Sequence, residues 1–463
     1  MTNSEYNRRD FLKGTSSFAA MMAIMGAVPI RAADDAKDDI AAKTAEDPLN
    51  FGVIGCGVWG REIIKTLSAR PNAPVVGVCD TYKPFLNRIK DAAPKAEQYT
   101  EYQKLLENKN VQGVVIATPS HLHKDIVIAA LKAGKHVYCE APMATTLEDA
   151  RAMAQAAKAS PKLNFQVGLL PRADKQMTYL LNFVRTGVLG KFVKVRAQSH
   201  KKQSWRRASP NPEREKEINW RLDKNLSLGL LGEIGIHQMD MACWYLMGRP
   251  LAVSGYGGLV QWTDDGREVP DTVQAVFEFP NNVVFNQEIT LANSFDSDYD
   301  IFYGSDSAIM IRDRKAWMFK ESDSQLLGWE VYARKETFYK ESGIVLGADA
   351  TKLTPSKPAE PKPGETASTT PAPVVEETAL SLSLRAFLTN TLGTINGVQE
   401  FIDSFGDKDQ KALVEYLAGL AKMRQPAASW KDGYESAVIA MKANEAVTKK
   451  QRIVFSKEWF EIA

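Results

Sequence analysis

Four cysteines in a chain of 463 residues are too few, and too unevenly placed, to staple it. Cys56, Cys79 and Cys139 fall in or beside apolar runs that read as strands, and Cys243 lies on an apolar helix, so all four read as small core residues. Histidine is also scarce, with five in the chain. No Cys/His pair has metal-ligand spacing, so no metal site is expected. Neither sign of charge is in excess: 58 basic residues against 56 acidic leave a net charge of +2. That balance argues against nucleic acid and against an acidic membrane as partners. Local basic pairs such as Lys201-Lys202 and Arg206-Arg207 read as a solvated rim or an anion contact. The apolar run from Phe18 to Val28 is too short to cross a hydrocarbon core of about 30 Å, so no stable membrane anchor is expected. Internal repeats are missing as well.

What is present is 44% hydrophobic residues, enough for two to three cored domains at this length. The most informative stretch is Leu49 to Asp80. An apolar run (Phe51, Val53, Ile54) leads into Gly55-Cys56-Gly57-Val58-Trp59-Gly60, after which Ile63, Ile64 and Leu67 recur at helical spacing. The order is strand, glycine turn, helix. A second apolar run, Val75 to Val78, ends at Asp80. Gly55 allows the tight turn, Gly57 lets the backbone approach a pyrophosphate, and Gly60 lets helix and strand pack closely. Phosphates would sit over the free amides at the helix N-terminus, and Asp80 would accept from an adenosine ribose. This predicts a dinucleotide site. A carboxylate at position 80 favours NAD over NADP, while nearby Lys83 leaves NADP open.

The N-terminus carries an export pattern, Asn7-Arg8-Arg9-Asp10-Phe11-Leu12-Lys13, with the mildly apolar Phe18 to Val28 and then Pro29 behind it. We read residues 1–33 as a twin-arginine signal, cut near Ala32 or Ala33, and residues 34–47 as a polar tether. The expected location is periplasmic or otherwise exported, by the twin-arginine machinery. That route moves folded proteins, which suits reduced buried thiols and a cofactor loaded before export.

Residues 48–168 alternate strand and helix: Val111 to Ala117, Ile126 to Ala133, Lys135 to Cys139, Leu147 to Ala157 and Leu163 to Gly168. This predicts a parallel, doubly wound α/β sheet, whose ligands bind beyond the carboxyl ends of the strands. Asp80, Thr118, His123 and Glu140 all fall at such ends. Residues 169–353 read as an α+β domain with an open-faced, largely antiparallel sheet, since Pro270 to Phe279 and Val283 to Leu291 alternate polar with apolar. Residues 354–377 are rich in Pro, Thr, Glu and Lys and read as a disordered insertion. Residues 378–463 read as helices packing on the second domain, closed by a short strand at Arg452 to Phe455.

Four motifs, in order and spacing, resemble the Gfo/Idh/MocA family, which includes glucose-fructose oxidoreductase and inositol dehydrogenase. They are Gly55 to Gly60, Thr118-Pro119 with His123, Glu140-x-Pro142, and Glu233-x-Gly235-x-His237-x-x-Asp240. The resemblance covers about residues 49 to 320 well and the last helices loosely. It implies a Rossmann domain, an α/β substrate domain whose open sheet often serves oligomerisation, NAD(P), and a sugar, polyol or glycoside substrate. It also implies cofactor contacts at Gly55, Gly57, Val58, Trp59, Gly60, Asp80, Thr118, Pro119, His123, Glu140 and Pro142. Some periplasmic members hold their nicotinamide tightly. Two departures stand out. The family's usual Glu-Lys-Pro is Glu140-Ala141-Pro142 here, so the lysine that commonly polarises the reacting oxygen is missing. Glu233 stands where Asp is common.

Oxidising a secondary alcohol needs a base with a pKa near working pH, and His237 is the candidate. Glu233, four residues earlier on a helix, shares its face and would orient the imidazole or carry a proton. His121 and His123 read as structural, with His123 also touching cofactor. Candidate substrate contacts are Arg172, Lys201, Trp205 and Asp240. Lys201, Arg172 and Arg206 are the candidate replacements for the missing lysine, and Trp205 and Trp220 are candidate stacking faces for a sugar. The expected function is that of an exported NAD(P)-dependent carbohydrate oxidoreductase with a tightly held cofactor, assembled as a homo-oligomer. Two alternatives stay open: a redox-neutral NAD-dependent glycosidase or lyase, and a non-catalytic sugar-binding protein.

Overall fold

The computed structural model describes residues 48–338, 341–347 and 378–462. The signal, the tether and the 354–377 insertion lie outside the described residues. The first domain is a parallel sheet of six strands: β1 (Phe51–Ile54), β2 (Val75–Cys79), β3 (Glu97–Tyr99), β4 (Gly113–Ile116), β5 (His136–Cys139) and β6 (Phe165–Val167). Their order is β3-β2-β1-β4-β5-β6, the doubly wound arrangement, with the reversal at β1 and β4. β1, β4 and β5 are buried along their whole length, as strands covered on both faces must be. The connecting helices are α1 (Val58–Ser68), α2 (Lys83–Asn87), α3 (Tyr102–Glu107), α4 (His123–Lys132) and α5 (Leu147–Lys158). β3, α2 and α3 have no counterpart in the sequence reading. β3 is an edge strand with two exposed residues in three, so it carries no apolar alternation.

The chain then enters the second domain through α6 (Lys175–Arg185) and β7 (Phe192–His200). A short helix α7 (Glu215–Ile218) and helix α8 (Ile236–Tyr245) precede strands β8 (Ala252–Gly258), β9 (Thr272–Glu278), β10 (Val284–Thr290), β11 (Asp298–Gly304), β12 (Ser307–Arg312), β13 (Lys315–Lys320), β14 (Lys335–Phe338) and β15 (Glu341–Leu346). With the terminal β16 (Ile453–Val454) they form one ten-stranded sheet, β14-β15-β13-β12-β11-β7-β10-β9-β8-β16. It is antiparallel except where β10 runs parallel to β7. β9 and β10 alternate buried with less buried residues, so one face is covered and the other open. Tyr256, Val193 and Val276 stand on the exposed side.

The last helices are α9 (Ala379–Phe405), α10 (Gln410–Leu420) and α11 (Trp430–Lys449). They do not all stay with the second domain, where the sequence expectation put them. α9 returns to the first: Leu380, Leu384, Phe387, Leu388 and Leu392 share one apolar cluster with Phe51, Val53, Ile63, Val115 and Tyr138. Phe387 packs against both Phe51 and Tyr138, at ring-centroid distances of 6.0 and 5.7 Å. α11 lies between the domains, touching α5 and β6 on one side and α8 and β8 on the other. All four cysteines are free, and burial pushes their thiols up. Among the described residues, no helix is long and apolar enough to cross a membrane, and no cluster of His, Cys, Asp and Glu could hold a metal.

Candidate active site

Gly55 and Gly60 are placed as the sequence reading expects. Gly55 sits at φ +95°, where a Cβ would also lie 2.6 Å from the Ala117 carbonyl oxygen. A Cβ on Gly60 would lie 1.8 Å from the Gly55 oxygen, so turn and helix touch there. Gly57 differs. Its φ is an ordinary −62°, and a Cβ would meet nothing within 4 Å. The space in front of it is open, and α1 has no side-chain cap, so its first amides have no side-chain acceptor. Val58 and Trp59 flank it, 53% and 41% exposed.

Three strand ends supply the rest of this wall. Asp80 follows β2 and is held by two backbone donors, Cys56 N–H to Oδ2 and Tyr82 N–H to Oδ1, both at 2.8 Å. Burial raises its pKa and those two donors oppose the rise, leaving an acceptor for ribose hydroxyls. Thr118 follows β4, and its hydroxyl is buried with no partner. Glu140 follows β5, with the Ala141–Pro142 bond cis behind it. Burial lifts the Glu140 carboxyl to about 7, opposed by donation from the Trp59 indole and the Ala141 amide, and its Oε1 has no partner. A Cβ on Gly168 would stand 2.7 Å from Glu140 Oε2, so glycine leaves room for this carboxylate. An open cradle, an acid at the end of β2 and two orphaned oxygens fit a nicotinamide dinucleotide.

His123 is not part of that surface. It is 1% exposed, and its ring nitrogens face the carbonyls of Pro142 and Thr118, each at 3.0 Å. Burial pulls its pKa down to about 4, so the ring is neutral and donates to one of these two carbonyls, enclosed between the two loops. The expected cofactor contact is therefore replaced by a structural role, which also fixes the backbone of Pro119 and Pro142 around Thr118 and Glu140. His121 packs against Trp220, with 5.8 Å between ring centroids, and its Nδ1 is buried without a partner.

The facing wall comes from the second domain. Leu231–Gly235 forms a π-turn that runs directly into α8, a widening often found at functional sites. Gly235 allows it to lie on β10, where a Cβ would meet Ile289 at 2.8 Å, and Gln287 donates to the Gly235 carbonyl at 2.9 Å. Glu233 projects from this turn with its side chain 3% exposed. The Ser120 hydroxyl lies 3.3 Å from both its oxygens, Ser227 donates at 3.4 Å, and the Arg221 Nε stands 3.5 Å away. Burial raises the Glu233 pKa, with Arg221 and the two serines opposing. His237 follows on α8. Its Nδ1 is buried without a partner, and desolvation lowers its pKa, partly offset by Asp240, so the imidazole is neutral at pH 7. Among the described residues no hydrogen bond joins Glu233 to His237; Glu233 is tied to the first domain instead.

The other expected substrate contacts separate. Arg172 donates to both oxygens of Asp240, at 2.8 and 2.9 Å, and pairs with Asp432 at 2.9 Å. Asp240 is 1% exposed and also accepts from Ser436 at 2.8 Å. Both are consumed in a buried structural network, so neither is a substrate contact. Lys201 is exposed just beyond β7, and Trp205 is half-buried against the core. Arg206 is taken by Glu215 and the Asp265 carbonyl. Trp220 is buried, with His121 on one side and Arg221 over its ring at 4.5 Å, so it offers no free face to a sugar. The cation beside the Glu233 carboxylate is Arg221. Sequence reasoning passed over Ser120, Ser227 and Arg221. Ser120 alone carried a signal, its place in the turn after β4.

Comparison with known proteins accords with this geometry. Residues 49–169 match the model of an oxidoreductase family with an NAD-binding Rossmann fold, and residues 177–309 match the GFO/IDH/MocA C-terminal domain. Together these matches span more than half of the chain. A levoglucosan dehydrogenase from Pseudarthrobacter phenanthrenivorans is 28% identical over 298 residues, 57% of this chain and 73% of that protein. A 2,7-anhydro-N-acetylneuraminate hydratase from Escherichia coli is 27% identical over 264 residues, 57% of this chain and 67% of that protein. Among solved structures, a levoglucosan dehydrogenase in complex with NADH and L-sorbose superposes with a TM-score of 0.61 at 20% identity, covering 88% of this chain and 99% of that one, a likeness of fold.

Proposed function

The chain belongs to the Gfo/Idh/MocA oxidoreductase family, and from that premise we propose that it oxidises a secondary hydroxyl of a sugar, polyol or glycoside, with His237 as the base. The observation that carries this reading is the Ser120–Glu233 contact, which joins the turn after β4 to the π-turn that leads into His237, whose Nδ1 is buried without a partner. The dinucleotide, when bound, accepts the hydride. His237 takes the hydroxyl proton, and Glu233, its pKa raised by burial, carries protons between the site and Ser120. Ala141 provides no charge, so Arg221 is the cation left to favour an oxyanion. The named substrate of the levoglucosan dehydrogenase supports a carbohydrate.

The test is the nucleotide released from denatured protein, followed by a glycoside and polyol screen read at the NADH absorbance. Stoichiometric nucleotide and turnover lost in His237→Ala support the reading; protein that neither carries nor binds NAD sinks it. A redox-neutral elimination is favoured by two observations, Ala141 in the lysine position and a hydratase among the relatives. It would give product without net NADH and with solvent deuterium in the sugar. We further propose export by the twin-arginine route with the cofactor held tightly, since a soluble nicotinamide pool is absent outside the cytoplasm. Arg8→Lys with Arg9→Lys should keep the protein inside. The open face of the ten-stranded sheet is proposed to pair with a second copy, which light scattering would detect.

A further inference from the structure

Away from the cleft, along the free edge of the parallel sheet, lies a cavity of about 710 Å³. The last turn of α5, the loop leading into β6, one side of α10 and the first turn of α11 enclose it. The dinucleotide cradle sits at the carboxyl ends of the strands, whereas this cavity opens at the amino end of β6, where Leu163 and Asn164 enter the strand. There the edge is met only by a single bridge between Gln166 and Ser429. None of the residues placed in the cleft lines this space.

Its wall is positive and unbalanced. Lys158, Arg424 and Lys431 line it, and no Asp or Glu does. Asp432, the acid next in the chain, is already taken, by Arg172 at 2.9 Å and by the Ser429 amide at 2.7 Å. Arg424 is the least satisfied of the three cations. It is half-buried, and among the described residues no carboxylate comes within ion-pair distance of it. Its guanidinium makes one hydrogen bond, to the Thr394 hydroxyl at 2.8 Å, which leaves most of the fork unused. Burial lowers its pKa, and no neighbouring acid opposes the fall. Lys158 has only the Ile462 carbonyl, at 3.4 Å. The Arg424 turn is fixed from behind: Asn390 accepts from the Gln425 amide at 2.8 Å and donates to the Gln425 carbonyl at 2.9 Å. Cations that share one partly dry space repel unless an anion joins them.

We propose that this cavity binds a small organic anion, its carboxylate or phosphate group held by Arg424 and Lys158 and its body lying against Trp430, Leu417 and Phe165. The guanidinium fork matches the paired oxygens of either group, and Lys158 adds a point charge. The three apolar side chains belong to the same wall, so a bare inorganic ion would leave them uncovered. The volume falls within the range of about 300–1,000 Å³ in which small molecules are held.

Calorimetric titration of the full-length protein with gluconate and with glucose 6-phosphate, each in saturating NADH, tests this, with glucose as the neutral control. At least one anion should bind with an affinity that falls as salt rises and that glucose lacks, and the tighter of the two assigns the head group. Arg424→Gln should weaken that binding about tenfold, and Lys158→Gln severalfold. Ala418→Phe, which narrows the cavity without removing a charge, should weaken it as well. Lys422→Gln, exposed and outside the wall, should change nothing. Thermal melts show which variants fold, and Lys158→Gln with Ala418→Phe decide the matter if Arg424→Gln does not. Failure of both anions to bind overturns the proposal, and so does an affinity that the folded variants leave unchanged. Binding that appears only without NADH also overturns it, because the anion would then belong to the cleft.

Discussion

Ser120 of the first domain and Glu233 of the second are joined across the cleft, the serine hydroxyl 3.3 Å from both carboxylate oxygens. The donor sits in the turn after β4, and the acceptor on the π-turn before α8, so one contact links a strand end of the first domain to the helix that carries His237. Ser120→Ala removes a donor that favours the ionised acid, and the Glu233 pKa should rise further. The acidic limb of the pH–rate profile should move to higher pH, with kcat/KM near its optimum falling about tenfold.

His237→Ala should lower kcat by about 10²- to 10⁴-fold, the usual loss for a general base, while dinucleotide affinity is kept. Steady-state rates together with NADH titration check both halves of the statement. A variant that loses dinucleotide affinity to the same degree would place the imidazole in cofactor binding instead.

Gly57 and Gly60, on the same turn, should behave oppositely when a methyl group is added. Gly60→Ala collides with the Gly55 oxygen and should unfold or strongly destabilise the first domain. Gly57→Ala meets nothing and has an ordinary φ, so thermal stability should hold while NAD affinity drops, because the methyl projects into the cradle. Melting curves with and without NAD separate the two.

Asp240→Ala should destabilise the fold by about 3–5 kcal/mol, since it leaves Arg172 buried with one partner fewer. Denaturant unfolding measures this. In whatever fraction folds, KM should be unchanged, in keeping with a structural and not a substrate-binding role.

Stability should fall in mild acid. His123 and His136 are buried, and burial holds each at about 4, below the usual imidazole value of 6.5. The folded state therefore binds these protons less readily than the unfolded chain. Their contribution is complete above pH 6.5 and is lost as pH falls towards 4, by about 3 kcal/mol each. His136→Gln, whose amide oxygen could still accept from the Asn164 N–H, should flatten the unfolding free energy between those pH values.

Local chemistry made the first domain readable in the sequence. Gly55, Gly57, Gly60 and Asp80 lie within one β-α-β unit, so their spacing could be read from a single short stretch. The alternation in β9 and β10 likewise announced a sheet with one open face. What escaped depends on distant partners. Arg172 looks like a free cation until Asp240 and Asp432 are folded against it, and nothing near Arg221 in the chain points to Glu233. His123 reads as a cofactor ligand because its turn is right; only its burial, with the carbonyls of Thr118 and Pro142 beside its ring, shows that it is enclosed by protein. The docking of α9 is equally invisible, because an amphipathic helix does not specify which sheet it covers.

The return of α9 has a consequence for how the protein is made. Five large side chains of that helix cover Phe51, Val53 and Tyr138, a burial worth on the order of 10 kcal/mol before entropic costs, comparable to the whole net stability of a domain. The nucleotide-binding half is therefore unfinished while the ribosome is still translating the second domain, and it closes only when residues 379–405 emerge. A nascent or truncated chain lacking them would display a greasy sheet surface that chaperones and proteases can recognise. Completion of synthesis and completion of the first core become the same event.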